Sequence, residues 1–315
     1  MNGKKVVIAL GGNAILQPGQ KGTFESQLEN IKITAKQLVS LVERGYQLLI
    51  THGNGPQVGQ ILLQQKAAEK DGIPPMPLHA CGSFTQGLLG YMIQQCLYNE
   101  IKKIGIKKPV VTVVTQVLVS KDDPAFKNPT KPIGPFYSEA HARKAMEEFG
   151  EIWKEDSGRG WRRVVASPEP KSIIEIEAIK TLLSQGAIVI ASGGGGIPVV
   201  LDDNGQLIGV NAVIDKDLAA ERMAEEIDAD IFVILTDVPY VAINYKKPNQ
   251  KNLTNITLTE IKKYFEEGHF KEGSMGPKVK AVMRFVENKK KTAVITSLDN
   301  ALQAVEGTFG TVVSP

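Results

Sequence analysis

Glycine-rich turns are the residues of this chain whose types and spacing most clearly point to chemistry. Glycine clusters follow short apolar runs at Gly11-Gly12-Asn13, Gly53-Asn54-Gly55 and Gly193–Gly196, and another precedes a helical pattern at Gly273–Gly276. Glycine lets the backbone approach a ligand closely, and the amides of a following helix start point at anions. A single strand-ending glycine pair is more often only a tight turn. Several such turns along one edge of a sheet favour a polyphosphate site.

Two lysines are candidates for neutralising phosphate charge. They are considered because the standard nucleotide-binding motifs, which would otherwise supply that charge, do not occur in the sequence. It contains no GxxxxGK[ST], no complete GxGxxG and no HRD or DFG triplet, which disfavours a P-loop kinase, a conventional dehydrogenase and a protein kinase. Lys216 opens a predicted helix, and Lys278 follows Gly276-Pro277. A proline in the first turn would hold Lys278 at the helix end where anions bind, whereas a lone lysine is otherwise a solvated surface charge.

These residues are positioned by strand and helix patterns that alternate along the chain. Short Val/Ile-rich runs that are apolar almost throughout predict strands buried on both faces of a parallel sheet. The predicted strands are Val6–Leu10, Leu48–Thr51, Val110–Val114, Ala187–Ala191, Ile231–Leu235, Ala293–Thr296 and Thr311–Val313. The predicted helices are Phe24–Arg44, Pro56–Lys70, Cys81–Lys103, Ile173–Ser184, Lys216–Glu226, Thr259–Glu267, Pro277–Glu287 and Leu298–Val305. The alternation predicts an α/β fold, an open, mainly parallel sheet between helices with ligands at the carboxyl ends of its strands.

One region interrupts the alternation. Between Lys121 and about Val165 the chain has four prolines within a short span, then a helical pattern, both of its tryptophans and several arginines. A segment of this length and composition is more than a tether, so we predict a protruding subdomain, a folded projection or lid, over about 121–165. We predict a single domain over residues 1–315, with an N-terminal lobe at 1–190 that includes this insert and a C-terminal lobe at 191–315.

Composition and charge exclude several classes of protein. The 315 residues are 42% hydrophobic and 23% charged, as in an ordinary globular protein, and a net charge of +3 is too balanced for a nucleic-acid-binding surface. No apolar stretch is long enough to span a bilayer, and the first apolar run is too short for a signal peptide, so we expect a cytoplasmic protein without membrane partners. Two cysteines and four scattered histidines predict neither a disulfide framework nor a zinc site.

Eight segments occur in the order and spacing of a known superfamily. They are IALGGN, THGNGPQVG, NPTKPIGPFY, DSGRGWRRVV, ASGGGG, AVIDKDLA, ILTDV and GSMGPKV. Together they resemble the amino acid kinase superfamily over essentially the whole chain, and NPTKPIGPFY and DSGRGWRRV are specific to its carbamate kinase family and close carbamoyl-phosphate-forming relatives. The resemblance implies reversible phosphoryl transfer between ATP and carbamate, giving ADP and carbamoyl phosphate. It also implies a homodimeric, cytoplasmic enzyme of arginine metabolism with an eight-stranded, mainly parallel sheet.

The resemblance also implies roles for individual residues in the N-terminal, carbamate-binding lobe and at the phosphates. Such a reaction needs positioning and electrostatic stabilisation of the transferring group rather than covalent chemistry. The implied catalytic residues are Lys131, Lys216, Asp217 and Lys278, and the implied substrate- and phosphate-binding residues are Gly11, Gly12, Asn13, Gly53, Asn54 and Gly55. Lys216 and Lys278 would neutralise phosphates, and Asp217 would hold the two lysines in place and stay ionised. From its position alone, Asp217 is equally an ordinary helix N-terminal aspartate.

Lys131 is implied by a departure from the wider superfamily. Many members have a lysine two residues before the first glycine of the opening turn, where this chain has Ala9. Carbamate kinases are thought to supply that charge from the protruding subdomain, and Lys131 in the proline-stiffened Thr-Lys-Pro segment matches it. We expect Lys131 to reach the transferring group when the projection closes.

The C-terminal lobe is implied to bind the nucleotide. The implied residues are Ser192, Gly193, Gly194, Asp237, Tyr245, Met275 and Lys278. The segment LTDVPYV departs from the LTDV-Asp-Gly form of relatives, which leaves the adenine contacts undefined. ATP or ADP is implied as substrate and Mg²⁺ as cofactor, with the metal carried by the nucleotide phosphates and no protein-only metal site.

Two other functions stay open at this point. Another kinase of the superfamily, acting on acetylglutamate, UMP or glutamate, would need the early lysine and a larger acceptor pocket. A catalytically idle nucleotide sensor would be favoured by loss of Lys216, Asp217 or Lys278, and all three are present.

The Cys81–Lys103 helix is apolar over a wide arc and is predicted to form much of a dimer interface. Burial of the same helix within the monomer is the alternative. The apolar positions are Phe84, Leu88, Met92 and Cys96 on one stripe and Leu89, Ile93 and Leu97 on the next.

Overall fold

The structure, a computed structural model, describes residues 3–156, 158–271 and 273–315. Met1, Asn2, Glu272 and Ser157, the last of these in the DSGRGWRRVV segment, lie outside the described residues. The helices are α1 (Phe24–Glu43), α2 (Gly55–Glu69), α3 (Leu78–Lys103), α4 (Glu139–Phe149), α5 (Ile176–Ser184), α6 (Lys216–Glu226), α7 (Leu258–Glu266), α8 (Met275–Lys289) and α9 (Ala301–Val305).

Short strands alternate with these helices. They are β1 (Lys5–Leu10), β2 (Gln47–His52), β3 (Val110–Thr112), β4 (Gln116–Leu118), β5 (Lys131–Tyr137), β6 (Trp153–Glu155), β7 (Trp161–Val165), β8 (Ser172–Ile173), β9 (Ile188–Ile190), β10 (Ile197–Leu201), β11 (Leu207–Gly209), β12 (Ile231–Thr236), β13 (Val241–Ile243), β14 (Lys251–Leu253), β15 (Asn255–Thr257), β16 (Thr292–Ser297) and β17 (Thr311–Ser314). No helix within the described residues combines the length and the apolar character needed to cross a membrane.

A central sheet runs through both halves of the chain. Within the described residues it has eight strands in the order β15-β17-β16-β12-β1-β2-β9-β3, and all neighbours pair in parallel except β16 and β17. All seven predicted strands belong to it, and the predicted α/β class with a mainly parallel sheet is confirmed. The remaining strand, β15, is only three residues long, and its single buried residue leaves no apolar run to detect.

Burial on both faces explains why the strands are continuously apolar. Along β1, Val6, Ile8 and Leu10 belong to the core that packs against α1 and α3, whereas Val7 and Ala9 belong to the core that packs against α6 and α8. Successive side chains of a strand point to opposite faces, so a strand covered on both sides needs apolar residues at every position.

A second sheet was not anticipated from the sequence. Its strands are in the order β11-β10-β4-β8, and it takes in Ser172 and Ile173, so helix α5 begins at Ile176 rather than at the predicted Ile173. Strands β4, β8 and β11 have only two or three residues, too short for a periodicity to identify, whereas β10 has five and was missed.

The insert folds as a small unit of its own. Strands β5, β7 and β6 form a three-stranded antiparallel sheet, and α4 packs on it. Tyr137 stacks on His141 at 4.3 Å between ring centroids, and Trp153 meets the ring of Tyr137 edge-on at 5.3 Å. The segment therefore has a sheet and an aromatic cluster of its own, and its role as a projection or lid stays a prediction.

Helix α3 divides its apolar residues between two surfaces. Leu89, Met92, Ile93, Cys96 and Leu97 are buried in the core of this chain, which corrects the prediction that they face a second subunit. The exposed apolar stripe consists of Phe84, Leu88, Tyr91 and Tyr98. These positions follow one face of the helix at spacings of three, four and seven residues.

Candidate active site

The glycine turns meet at the carboxyl ends of adjacent strands. Gly11 follows β1, Gly53 follows β2, Ser192 lies just beyond β9, and Asp237 follows β12, so four neighbouring strands end at one edge of the sheet. Helix α6 begins at Lys216, and Lys278 lies in the first turn of α8. The sheet order therefore brings together most of the sequence-predicted residues.

Asp217 joins the two predicted lysines. Its Oδ1 accepts a hydrogen bond from Lys216 Nζ at 2.6 Å, and its Oδ2 accepts one from Lys278 Nζ at 3.0 Å. The Asp217 side chain is 3% exposed, and those of Lys216 and Lys278 are 19% and 15% exposed. Both ammonium groups thus keep some access to the cleft while a buried carboxylate holds them.

The charges of this triad are set by burial and by each other. Burial alone raises the pKa of Asp217, but Lys216 and Lys278 outweigh it and lower the pKa to about 2, so the carboxylate stays ionised. Burial, with repulsion from Lys278, lowers the pKa of Lys216 against the opposing pull of Asp217. For Lys278, burial is outweighed by attraction to Asp217, which raises the pKa. When both amines are protonated, Lys216, Lys278 and Asp217 together carry one net positive charge, which suits an anion.

The absence of a side chain at Gly53 leaves room for the stem of Lys216. A Cβ atom built on Gly53 would lie 3.1 Å from Cδ of Lys216, so a side chain at that position would press on the lysine stem. Gly12 has open space where its Cβ would be, and a 3₁₀ turn over Gly12–Ala14 follows. Gly11 packs against β12 through a hydrogen bond from its N–H to the Leu235 carbonyl at 2.8 Å.

Ser192, Gly193 and Gly194 lie against the second glycine turn. A Cβ on Gly193 would lie 2.4 Å from Nε2 of His52, and one on Gly194 would lie 2.1 Å from Nδ2 of Asn54. Gly194 has φ +67°, in the left-handed region that favours glycine. The three residues are buried on the Gly53-Asn54-Gly55 side of the site, so their assignment to the nucleotide stays a prediction.

Polar side chains beneath the site hold these turns in place. Asn54 Nδ2 donates to Thr85 Oγ1 at 2.8 Å, and Gln86 Nε2 donates to the Gly193 carbonyl at 3.1 Å. His52 is 1% exposed, and burial, with repulsion from Lys216, lowers its pKa to about 4 despite the Gly53 carbonyl beside Nδ1. Neutral His52 therefore adds no positive charge to the site.

Lys131 of the insert contacts the start of helix α6. Its Nζ lies 2.8 Å from Oδ2 of Asp215, and the other oxygen of Asp215 caps α6 by accepting from the Asp217 and Leu218 N–H groups. Asp215 was not among the predicted site residues. The signal was present, because an aspartate just before a helix start is a strong N-cap. Ala9, by contrast, is 1% exposed, belongs to the core and brings no charge to the site.

An open cleft of about 440 Å³ lies beside the lysines. Asp237 lines it, but Tyr245 and Met275 do not belong to its walls: Tyr245 is 52% exposed after β13, and Met275 packs on the core at the start of α8. The roles of Tyr245 and Met275 at a nucleotide therefore stay predictions. Other lining residues include Gly11, Gly12, Asn13, Lys216, Lys278, Thr236, Ser297 and Asp299. Ser297 and Asp299 were missed because no motif marks them.

Comparisons with known proteins identify what this arrangement resembles. The model of the amino acid kinase family matches residues 4–297. The chain is 58% identical over 312 residues to a carbamate kinase of Thermococcus kodakarensis, covering 98% of this chain and 99% of the relative. It is 55% identical over 314 residues to a carbamate kinase of Pyrococcus furiosus, covering 99% and 100%.

Solved structures agree with the sequence relatives. A carbamate kinase from Giardia lamblia bound to AMP-PNP superposes with a TM-score of 0.93 at 47% identity, covering 99% of this chain and 98% of that one. Similarity at this level extends over the insert as well as the central sheet.

Proposed function

The chain belongs to the amino acid kinase family, and within it to the carbamate kinases, and from that membership we propose how its cleft transfers a phosphoryl group reversibly between ATP and carbamate. In the direction of ATP formation, an oxygen of the ADP β-phosphate attacks the phosphorus of carbamoyl phosphate. The bond from phosphorus to the carbamate oxygen breaks, and carbamate leaves with the electron pair. Both the attacking and leaving groups are anionic oxygens, so the chain must supply positive charge and alignment.

The observation that supports this proposal most is the pair of lysines held on one buried carboxylate. Lys216 and Lys278 share Asp217 and line the same cleft as Gly11 and Gly12. Preorganised charges need no reorientation as charge develops on the equatorial oxygens of the transferring group. We assign Lys216 and Lys278 to the phosphates and Asp217 to holding both amines.

The glycine turns suit the phosphoryl group and a small acceptor. The backbone of Gly11, Gly12 and Asn13 can approach the transferring group closely, since Gly12 leaves open space beside the cleft. Gly53, Asn54 and Gly55 lead into the first turn of α2, whose free N–H groups suit the carboxylate-like oxygens of carbamate. Lys131 would add a third positive charge from the insert.

We assign the nucleotide to the cleft that Asp237 lines, continuing across the C-terminal lobe at 191–315, and carbamate to the lobe at 1–190. Asp237 and Asp299 place carboxylate oxygens at the wall of this cleft, a donor type that Mg²⁺ accepts beside phosphates. Within the described residues, no cluster of three or more His, Cys, Asp or Glu side chains encloses a metal position. A Mg²⁺ ion held mainly by nucleotide phosphates fits these donors, and when bound it would neutralise phosphate charge. The remaining contributions come from the lysines and backbone amides.

We also propose a homodimer formed through the exposed stripe of α3. Phe84, Tyr91 and Tyr98 are 46%, 48% and 51% exposed, and aromatic side chains are enriched at protein interfaces. A role in arginine metabolism is inferred from the family resemblance alone, and a cytoplasmic location from that resemblance together with the sequence pattern.

A coupled assay tests the proposed function. ADP and carbamoyl phosphate are supplied, ATP formation is followed, and phosphorylation of acetylglutamate and of UMP by ATP is measured under the same conditions. We expect ATP formation from carbamoyl phosphate and no activity on the larger acceptors. Phosphorylation of UMP or acetylglutamate at a comparable rate, or no turnover with any of these substrates, would contradict the proposal.

A further inference from the structure

The insert leaves and rejoins the rest of the fold at one place. Asp123 precedes the insert's first 3₁₀ turn, Pro124–Phe126, and its Oδ1 accepts a hydrogen bond from the Ala125 N–H at 2.9 Å. Its other oxygen, Oδ2, accepts from the N–H of Glu169, on the segment that returns from β7, at 3.0 Å. The outgoing and returning segments are therefore fixed to each other at the base of the insert.

The Glu169 side chain fastens that base to helix α8. Its Oε1 lies 2.5 Å from Lys280 Nζ and its Oε2 lies 2.7 Å from Arg284 Nη1. Lys280 and Arg284 are four residues apart, so both lie on one face of α8. Burial raises the pKa of Glu169, but hydrogen bonds and charges from Arg284 and Lys280 outweigh this and lower it, so the carboxylate is ionised at neutral pH.

Helix α8 connects this contact with the active site. Lys278, two residues before Lys280, bonds to Asp217 on α6, and Lys131 from the insert bonds to Asp215 at the start of the same helix. These two contacts, with α8 at the base and with α6 at Lys131, add to the packing of β5 on α2, where Ile133 shares an apolar cluster with Val58. Helices α6 and α8 are themselves joined through Asp217.

We propose that Glu169 is a positioning residue for the reaction, which holds the base of the insert against α8 and so sets where Lys131 places its charge. This inference rests on the proposed phosphoryl transfer. Glu169 acts through Lys131 and not on the reacting atoms. A displacement of about 1 Å at a catalytic group can cost on the order of a hundredfold in rate, so a remote contact that places Lys131 has a measurable effect.

The first test is Glu169→Gln, which removes the charge and keeps the size of the side chain. We expect kcat for ATP formation from ADP and carbamoyl phosphate to fall about tenfold, with KM for ADP unchanged within about twofold, because Glu169 does not line the nucleotide cleft. Glu287→Gln is the matched control. Glu287 is also on α8 and forms an ion pair, with Lys262 at 2.6 Å, but it does not join the insert.

The second test separates positioning from a general structural effect. In a Lys131→Ala background, Glu169→Gln should cause no further loss of kcat, since there is no longer a charge to place. Amide hydrogen exchange over residues 124–165 should be about fivefold faster in Glu169→Gln than in the wild type or in Glu287→Gln, because the opening free energy of this unit is lowered.

The outcomes distinguish this inference from the proposed function. An unchanged kcat in Glu169→Gln, a loss that multiplies with that of Lys131→Ala, or unchanged exchange over residues 124–165 would overturn the role of Glu169. A wild-type protein that forms no ATP from carbamoyl phosphate would overturn the function itself, and the exchange measurement still reports on the contact because it needs no substrate.

Discussion

Lys131 of the insert and Asp215 of the central fold form an ion pair, with 2.8 Å between Nζ and Oδ2, although they are 84 positions apart in the sequence. Asp215 is the N-cap of α6 and directly precedes Lys216. The insert therefore delivers its lysine to the helix start where the predicted phosphate-binding residues begin. The positive charge that Ala9 does not supply reaches this helix start from outside the central sheet.

Replacement of Lys131 tests whether this charge is used. Lys131→Ala should lower kcat for ATP formation by about two orders of magnitude, because a preorganised charge near the transferring group is lost. Steady-state kinetics at saturating ADP and carbamoyl phosphate measure it. Lys121→Ala is the control, since Lys121 forms a comparable pair with Asp203 at 2.9 Å on an exposed surface. If Lys131→Ala retains near-full turnover, the insert has a structural role only.

Replacement of the two buried lysines should have larger effects. Lys216→Ala and Lys278→Ala are each expected to reduce kcat by about a hundredfold to a thousandfold, because each removes a charge aligned on the transition state. Circular dichroism should show an intact fold. Lys180→Ala, in a surface pair with Glu177, should leave the kinetics unchanged. Mild and equal losses of kcat in all three variants would contradict the assignment of Lys216 and Lys278 to the phosphates.

Asp217→Asn tests the carboxylate that holds both lysines. Loss of the negative charge leaves two buried amines uncompensated, which should lower the free energy of unfolding by about 3 kcal/mol. It should also lower the pKa of Lys216, since burial and Lys278 already lower it and Asp217 opposes them. The alkaline limb of the pH–kcat profile should therefore move to lower pH. Asp230→Asn, at a half-exposed pair with Lys291, should change neither quantity appreciably; an unmoved alkaline limb in Asp217→Asn contradicts the assignment.

Glu221 predicts a pH-dependent stability. It is fully buried on α6, beside the carboxyl group of Glu225. Burial, with the neighbouring Glu225, raises the pKa of Glu221 from 4.5 to about 9, although Arg222 and Arg284 oppose the shift. Between these values the unfolded chain has released a proton that the folded chain retains. The free energy of unfolding should fall as pH rises, by at most about 1.4 kcal/mol per pH unit.

The measurement is urea unfolding at pH 5, 7 and 9 for the wild type and Glu221→Gln. The glutamine variant cannot ionise, so its stability should decline less over this range. Glu260→Gln serves as the control, because Glu260 is exposed at the start of α7 and its pKa is lowered rather than raised. Parallel pH dependences for the wild type and Glu221→Gln would show that Glu221 is ionised in the folded protein.

The exposed stripe of α3 predicts the oligomeric state. Sedimentation equilibrium at micromolar concentration should give twice the chain mass, and Leu88→Lys with Tyr91→Lys should give the chain mass, because two charges in a buried interface are costly. Phe149→Lys, at an aromatic residue 64% exposed on the insert, should leave the mass doubled. A wild-type protein that sediments at the chain mass contradicts the proposed dimer.

The sequence by itself determined seven strands of the central sheet and the glycine turns at the ends of several of them. Strands β1, β2 and β12 are buried on both faces, so their central positions are apolar and could be recognised without the structure. Glycine clusters end these runs, which placed Gly11 and Gly53 at one sheet edge. Burial along a strand and the backbone freedom of glycine depend on residues that are close together in the sequence, so both can be predicted from it.

Only the tertiary structure decided which distant side chains meet. The bonds of Lys278 with Asp217 and of Glu169 with Arg284 span 61 and 115 positions, and no local pattern relates their partners. The same holds for α3, where a wide apolar arc did not say that Met92 faces the core and Tyr91 the surface. Such contacts depend on how whole elements pack against one another, and that packing results from the sum of many weak contacts over the entire chain.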